Sequence, residues 1–158
     1  MTNRIKKFRS AERIAYDKAA FLNPKLVRSE AFQLMFLRAE QFQPTKAAFR
    51  MVKYFDTKME LFGPELLPKH LTFNDLDDET KQSVVKTEGA CMFTNMKDSV
   101  GRAFFLHRYI HETNSLQENQ LIAGVPAQRH AKALWYMVMS CISADIDSQK
   151  RGVNLLAC

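Results

Sequence analysis

The sequence predicts an α/β fold in which an N-terminal helical region precedes a strand hairpin, a long helix and a final strand. Three observations lead to this prediction. Apolar residues recur at helical spacing through the first half of the chain, two apolar and aromatic runs then bracket a polar turn, and a last apolar run follows a further helical segment. The chain of 158 residues is 46% hydrophobic and 25% charged, which is typical of one folded domain with a buried core.

The first element is a basic N-terminal arm, residues 1–24, in which residues 4–21 fit a short amphipathic helix. Residues 1–30 carry eight Lys/Arg against three Asp/Glu, a net charge of +5, whereas residues 31–158 carry fifteen against fourteen. Clustered cations favour anionic surfaces, at about 1 kcal/mol for each Lys or Arg near a charged lipid surface. Lipid, nucleic acid and a merely solvated helix face stay open from charge alone. The candidate membrane-contact residues are Arg4, Lys6, Lys7 and Arg9.

Residues 25–89 are predicted to form a helical region. Asn23-Pro24 is a signal for the start of its first helix, and Pro44 begins a second helix that Gly63-Pro64 ends. The predicted apolar stripe of the first helix is Val27, Ala31, Leu34, Met35 and Arg38, and it is widened by Phe32, Phe36 and Ala39. The predicted stripe of the second helix is Ala48, Met51, Val52, Phe55, Met59 and Phe62.

A third, more polar helix is predicted over residues 72–88, with Asn74 as its N-cap and Gly89 at its end. In the first helix, Arg38 lies four residues after Leu34 among large apolar side chains. We expect a structural role for Arg38, in which it hydrogen-bonds to backbone carbonyls or pairs with a carboxylate of a neighbouring segment.

Residues 90–158 are predicted to open an α/β domain. The runs "ACMFTNM" and "RAFFLHRYI" bracket the polar turn "KDSVG", which is a hairpin pattern. A long helix begins at Pro126 and ends near "SQKRG". The final run "VNLLAC" is predicted to be a strand parallel to an earlier one, because a crossover helix leads into it. The predicted stripe of the long helix is Ala127, Ala131, Leu134, Val138 and Ile142.

Patterns of catalytic or metal-binding residues are absent from the sequence. His107 and His111 lie about 13 Å apart if they share a strand, which is too far for one metal ion. P-loop, GxSxG, GxGxxG, HExxH and CxxC motifs are missing. Cys91, Cys141 and Cys158 are odd in number and widely spaced, which favours reduced thiols. The sequence therefore predicts a binding protein rather than an enzyme, with no cofactor and no metal.

The sequence also predicts a cytoplasmic protein. No run approaches the roughly 20 apolar residues that a membrane-spanning helix needs. The N-terminal "MTNRIKKFRS" lacks the apolar segment of a signal peptide. The lack of a DNA-reading motif and the near-neutral charge beyond residue 30 weigh against nucleic acid as a partner.

Three segments resemble the CRAL-TRIO family of lipid-binding proteins, which includes the phosphatidylinositol-transfer and retinaldehyde-binding types. "FLRAEQFQPTKA" resembles the helix-turn-helix of the family's N-terminal region, through Phe36, Leu37, Arg38, Ala39, Phe42, Lys46 and Ala47. "KDSVGRAFFLHR" resembles the turn and first strand of the lipid-binding fold, through Lys97, Asp98, Gly101 and Arg102. "DIDSQKRGVNLLAC" is similar to the segment that closes the long helix before an apolar strand. Family members continue well beyond this point, so the resemblance implies the front portion of an incomplete lipid-binding domain.

The resemblance implies a hydrophobic pocket, floored by a β-sheet, that binds and transfers a lipid or other small hydrophobic molecule, in a protein peripheral to membranes. The candidate lining residues are Phe104, Phe105, Leu106, Tyr109, Trp135, Tyr136 and Met139. Ordinary core packing is the alternative for each of them. Two other functions stay open. One is a helical protein-interaction module whose strand edge at 153–158 pairs with a partner. The other is a front half that binds no lipid by itself.

Overall fold

The computed structural model of the protein describes residues 2–87, 91–107 and 127–157. The chain divides into two compact units, Met1–Leu71 and Thr72–Cys158. The described part of the first unit is built from helices, whereas the second unit combines helices with a three-stranded sheet. The protein is therefore mainly helical with a small sheet, in the order of elements that the sequence predicts.

In the first unit, α5 is the central element. The helices of this unit are α1 (Thr2–Ile5), α2 (Ile14–Leu22), α3 (Pro24–Arg28), α4 (Glu30–Ala39) and α5 (Pro44–Leu66), with a 3-10 turn at Ser10–Glu12. α1, α2 and α4 each pack against α5. The predicted stripe of α5 is confirmed: Ala48, Met51, Val52 and Phe55 are buried, and Met59 and Phe62 are half-buried.

The buried face of α4 agrees with the predicted stripe and its widening by Phe32 and Phe36, except at Ala31. Ala31 is exposed, whereas Phe32, Met35 and Phe36 are buried. The centroid of the Phe32 ring lies 5.1 Å from that of Phe36 and 5.6 Å from that of Tyr54, both edge to face. The aromatic face turns inward because a phenyl ring buries far more apolar area than an alanine methyl group.

The prediction of one helix over residues 4–21 is wrong, because the chain is extended at Arg9. The backbone there has φ −59° and ψ 147°. The N–H of Arg9 donates to Glu12 Oε2 at 3.2 Å, which fixes a 3-10 turn between α1 and α2. α1 is nevertheless attached to the unit, since Ile5 is only 1% exposed.

A second break divides the helix predicted to begin at Pro24. α3 ends at Arg28, and Ser29 is extended with φ −61° and ψ 141°. The Oγ of Ser29 accepts a hydrogen bond from the N–H of Phe32 at 3.3 Å. Asn23 caps α3 in the same way, accepting from the N–H of Leu26 at 3.1 Å. Serine and asparagine are both strong N-cap residues, so each begins its own helix.

Both ends of α5 carry the signals that the sequence predicts. Gln41 and Phe42 have φ 50° and 57°, and the N–H of Phe42 donates to Leu37 O at 2.7 Å. This left-handed turn ends α4, and Pro44 then begins α5 as predicted. At the other end Gly63, with φ 72° and ψ −179°, interrupts the helical geometry before Pro64.

The second unit contains the predicted hairpin and the predicted parallel strand. Its elements are a 3-10 turn (Phe73–Asp75), α6 (Asp78–Thr87), β1 (Cys91–Lys97), β2 (Ala103–His107), α7 (Ala127–Ala144), α8 (Ile146–Arg151) and β3 (Val153–Ala157). The sheet order is β1-β2-β3. β1 is antiparallel to β2, with Met92 opposite Leu106, and β2 is parallel to β3, with Phe105 opposite Leu155.

Two helix boundaries in this unit differ from the predictions. Asp77 rather than Asn74 caps α6, since Asp77 Oδ1 accepts from the N–H of Thr80 at 2.7 Å. The single helix predicted after Pro126 is divided at Asp145, whose Oδ2 accepts from the N–H of Ser148 at 3.0 Å. In each case an aspartate cap defines a new helix start. Gly89, Pro126 and His111 lie outside the described residues.

The stripe predicted for α7 is only half-buried. Ala131, Leu134, Val138 and Ile142 are all of intermediate exposure, whereas Ala133 is 1% exposed.

Two further features concern the described residues as a whole. None of the helices in this part of the chain combines the length and the apolar character that crossing a bilayer requires. Within the same residues, no group of three or more His, Cys, Asp and Glu side chains is arranged to hold a metal ion.

Candidate functional site

The candidate lipid-lining residues lie on β2 and α7. Phe104 is half-buried, and so are Trp135, Tyr136 and Met139 on α7. Phe105 and Leu106 lie on β2, with their backbones opposite Leu155 and Leu156 of β3. Tyr109 lies outside the described residues.

The turn between β1 and β2 is closed by Asp98, the acidic residue of the "KDSVGR" motif. Its Oδ1 accepts hydrogen bonds from the N–H groups of Val100 and Arg102, at 3.1 and 2.9 Å. Its Oδ2 accepts from Arg102 Nε at 2.7 Å and from Asn154 Nδ2 at 2.9 Å. These bonds, that from Asn154 first, hold the pKa of Asp98 well below its usual range. One carboxylate thereby joins the hairpin turn to β3.

Lys97 and Asp145 form a second connection, between the hairpin and the break that separates α7 from α8. Lys97 Nζ lies 3.3 Å from Asp145 Oδ1 and 3.6 Å from Asp147 Oδ2. The hydrogen bond to Asp145 raises the pKa of Lys97. Hydrogen bonds from Ser148, together with Lys97, lower the pKa of Asp145 to about 2. Both side chains are therefore charged at neutral pH.

Gln149 and Gly152 complete this junction. Gln149 is 7% exposed, and its Nε2 donates to Ile142 O at 3.0 Å, which bridges the break between the two helices. Gly152 has φ 78° and ψ −170°, a conformation that only glycine adopts readily. The residues that carry the resemblance in this unit thus hold the connection from α7 through α8 to β3, which lies beside β2. Their contacts here are structural.

α6 and α7 are joined by charged pairs. Lys132 Nζ lies 3.0 Å from Asp77 Oδ2, and Arg129 pairs with Glu79. Desolvation opposes ionisation of Asp77, but hydrogen bonds from Thr80 and Lys132 outweigh it and lower the pKa of Asp77 to about 2. The acidic run at the start of α6 thus serves as a cap and as an anchor for α7.

Cys141 is a free thiol that is half-buried on α7. Burial raises its pKa, and the neighbouring charge of Asp145 acts in the same direction. A raised pKa disfavours the thiolate, which is the nucleophilic form of cysteine. These surroundings give Cys141 no nucleophilic activation.

A groove on the first unit lies between the arm and α5. Its volume is about 610 Å³, and it is lined by Phe8, Glu40, Thr45, Lys46, Phe49, Arg50 and Lys53. The rings of Phe8 and Phe49 lie 6.2 Å apart between centroids, and Lys53 Nζ lies 5.9 Å from the centroid of Phe49. Arg50 pairs with Glu40 across the groove. The groove therefore has an aromatic floor and a predominantly basic rim.

The predicted membrane-contact residues lie beside this groove on a segment that is attached to α5. Arg4, Lys6, Lys7 and Arg9 are all exposed, whereas Ile5 between them is 1% exposed. The buried Ile5 and the half-buried Phe8 hold the segment against the unit. Its cations consequently project from a fixed position rather than from a free tail.

Lys58 is a buried cation that the sequence reading overlooked. It is 1% exposed, and its Nζ donates to Leu67 O at 3.1 Å and to Lys69 O. Asn23 Nδ2 donates to Pro68 O at 2.9 Å, so three successive carbonyls of this loop accept hydrogen bonds from side chains. Helical spacing alone could have indicated Lys58, because it lies three residues after Phe55, within the apolar stripe.

The pKa values of two residues near Lys58, His70 and Tyr54, are shifted from their usual values. Burial and the charge of Lys58 lower the pKa of His70. Burial raises the pKa of Tyr54 far above its usual value, so the phenol stays neutral. Lys58 Nζ lies 5.9 Å from the centroid of the Tyr54 ring, within range of a cation–π contact.

Arg38, for which a structural role is predicted, is half-buried on α4.

Comparison of the chain with protein-family models found no match, and comparison with curated proteins found none. The resemblance to CRAL-TRIO proteins therefore stays a prediction from the sequence.

Proposed function

We propose that this protein binds a lipid or another small hydrophobic molecule in an apolar pocket of a CRAL-TRIO-type fold, transfers it, and contacts membranes peripherally. The observation that carries the proposal is the parallel pairing of β2 with β3 after the helices α7 and α8. The resemblance in "KDSVGRAFFLHR" and "DIDSQKRGVNLLAC" implies this arrangement.

The contacts of the motif residues give further support. Asp98 accepts a hydrogen bond from Asn154, and Lys97 pairs with Asp145, so side chains of the two motifs are in direct contact. These contacts assign a structural role to each of the four residues. A chance resemblance of two separate segments would not require their side chains to be partners.

The proposed binding needs no catalytic group. Transfer of a lipid chain from water to an apolar cavity is favourable by about 0.8 kcal/mol for each buried CH₂. The aromatic and thioether side chains of Trp135 and Met139 are suitable for such a wall, since both are apolar and adaptable in packing.

The exposed cations of the arm suit the membrane contact that exchange requires. An anionic lipid surface attracts clustered Lys and Arg side chains within about one Debye length, roughly 8 Å at physiological salt. Lys6 and Lys7 lie on the attached segment. We propose that they meet the headgroups while the pocket opens.

Lipid extraction from vesicles tests this function. The chain is incubated with vesicles that contain phosphatidylinositol, phosphatidylcholine and retinoid, reisolated, and its bound lipid is identified by mass spectrometry. Met139→Gln should reduce the amount of bound lipid, because it places an amide in the proposed wall. Met96→Gln is the matched control, since Met96 is 68% exposed. A parent chain that extracts no lipid, or equal loss in both variants, would contradict the proposal.

A protein-interaction role is the second candidate function. β3 is one of the two edge strands of the sheet in the described residues, and the outer edge of such a strand can pair with another chain. Sedimentation velocity tests this role with a second copy as the partner. Association that rises with protein concentration, in a chain that extracts no lipid, would favour it over the proposed function.

A further inference from the structure

α2 carries an exposed apolar face opposite its buried one. Ala15, Tyr16 and Ala19 are buried in the first unit. On the other side, Ile14 is 63% exposed and Phe21 is 85% exposed, and Leu22, in the last turn of the helix, is 50% exposed. Ile14 and Phe21 are spaced i and i+7, so they share one face of the helix, and Leu22 follows Phe21 directly. α2 is therefore apolar on its exposed side as well as on its buried side.

The exposed face has cations around it. Lys18 lies four residues after Ile14 and is exposed on the same face, and Lys25 and Arg28 are exposed on the adjoining α3. Residues 13–28 carry four Lys/Arg and one acidic residue, a net charge of +3. That acidic residue, Asp17, is paired with Arg13 at 2.8 Å. The surface thus combines exposed apolar side chains with an excess of positive charge.

We propose that this corner, formed by the C-terminal turn of α2 and by α3, is a membrane-insertion site for anionic phospholipid. Phe21 and Leu22 enter the boundary between headgroups and acyl chains, and Lys18, Lys25 and Arg28 contact the anionic headgroups. Large apolar side chains beside lysine and arginine are the composition by which interfacial helices bind anionic bilayers. The inference rests on the proposed function, which needs a membrane encounter for exchange.

The corner and the first part of the arm, residues 2–9, bind membranes by different physical means. Residues 2–9 present cations, while Ile5 is buried and Phe8 is half-buried against the rest of the first unit. Their attraction to a bilayer is electrostatic and is screened by salt. The corner adds apolar burial, which salt does not screen. Membrane binding that persists at high salt should therefore depend on Phe21 and Leu22.

Vesicle cosedimentation separates the two surfaces. The double variant Phe21→Ser, Leu22→Ser is compared with the parent on phosphatidylcholine vesicles containing phosphatidylserine, at low and at high salt. At high salt we expect binding about tenfold weaker or more, from the loss of two inserted side chains. Ile146→Ser is the matched control, because Ile146 is also 50% exposed but lies on α8. Equal binding by the double variant and the parent would overturn the proposal.

Fluorescence gives a second, direct readout of insertion. Phe21→Trp adds an indole at the corner, and lipids brominated on their acyl chains quench an indole that enters the bilayer. We expect quenching beyond that of the parent, whose single tryptophan is Trp135. No additional quenching would overturn insertion. Loss of self-association in the double variant, without a change in vesicle binding, would identify a second copy as the occupant and also overturn it.

Lipid extraction, measured on the same variants, keeps the two proposals distinct. If the parent binds vesicles through Phe21 but extracts no lipid, the proposed lipid-binding function fails and the insertion site stands. If the parent extracts lipid and the double variant binds vesicles equally well, the insertion site fails and the function stands.

Discussion

Lys58 occupies a position in the apolar stripe of α5 that periodicity assigns to a hydrophobic residue. Its stem packs among buried side chains, and its Nζ donates to the carbonyl groups of Leu67 and Lys69. The loop after α5 approaches the helix closely enough that these carbonyls need donors. A role of the kind that the sequence predicts for Arg38 is thus observed at Lys58, twenty residues further along the chain, and for Arg38 itself it stays a prediction.

We predict that Lys58→Met lowers the free energy of unfolding by about 2 to 4 kcal/mol, because it leaves the buried carbonyl of Leu67 and the partly buried carbonyl of Lys69 without this donor. Methionine keeps most of the packing of the lysine stem, so the loss reports the hydrogen bonds. Urea denaturation measures it, with Lys53→Met as the control on an exposed lysine of the same helix. A stabilised Lys58→Met variant would contradict the prediction and show that desolvation of the ammonium group dominates.

Asp145 makes the stability of the folded protein depend on pH. Hydrogen bonds lower its pKa from 3.8 to about 2, so its contribution to stability is present above its unfolded pKa of 3.8 and is lost as the pH falls toward 2. We predict that Asp145→Asn is less stable than the parent at neutral pH and loses less stability between about pH 4 and pH 2. Urea midpoints across this range measure the difference. Parallel acid profiles for the two chains would contradict it.

At the scale of elements, the sequence predicts where helices and strands occur better than it predicts where a helix is interrupted. Pro44, the stripe of α5, the hairpin and the parallel β3 all follow from local patterns. The breaks at Ser29 and Asp145 could not be predicted, because a serine or aspartate inside an apolar pattern is compatible with a continuous helix. Only the packing of each segment against its neighbours selects the cap over the continuous helix.

The junction between α8 and β3 depends on Gly152. Its φ of 78° and ψ of −170° lie in a region that is essentially restricted to glycine. We predict that Gly152→Ala costs about 1 to 3 kcal/mol from backbone strain, although an added Cβ would meet no atom within 4 Å. Gly152→Asn should cost as much, because asparagine tolerates only the left-handed helical region. Thermal denaturation measures both variants, and an unchanged melting temperature for Gly152→Ala would contradict the prediction.

At the scale of the whole molecule, composition indicated where charge lies but not what it does. The net +5 of residues 1–30 is visible in the sequence. Its division between the attached segment 2–9 and the α2–α3 corner is not, because that depends on Ile5 being buried and Phe21 being 85% exposed. In the sequence, Ile5 and Phe21 look alike, because each is an apolar residue near lysines. Tertiary packing alone decides which of them faces the core.

The arm leads to a prediction about salt. If Lys6 and Lys7 meet anionic headgroups, then Lys6→Glu with Lys7→Glu should weaken binding to phosphatidylserine-containing vesicles strongly at low salt. The difference from the parent should shrink as the Debye length falls from about 30 Å at 0.01 M to about 8 Å at 0.15 M. Vesicle cosedimentation as a function of salt measures it. Lys150→Glu is the matched control, since Lys150 is exposed on the second unit. Binding of the parent that is independent of salt would exclude an electrostatic role for the arm and leave membrane contact to apolar insertion alone.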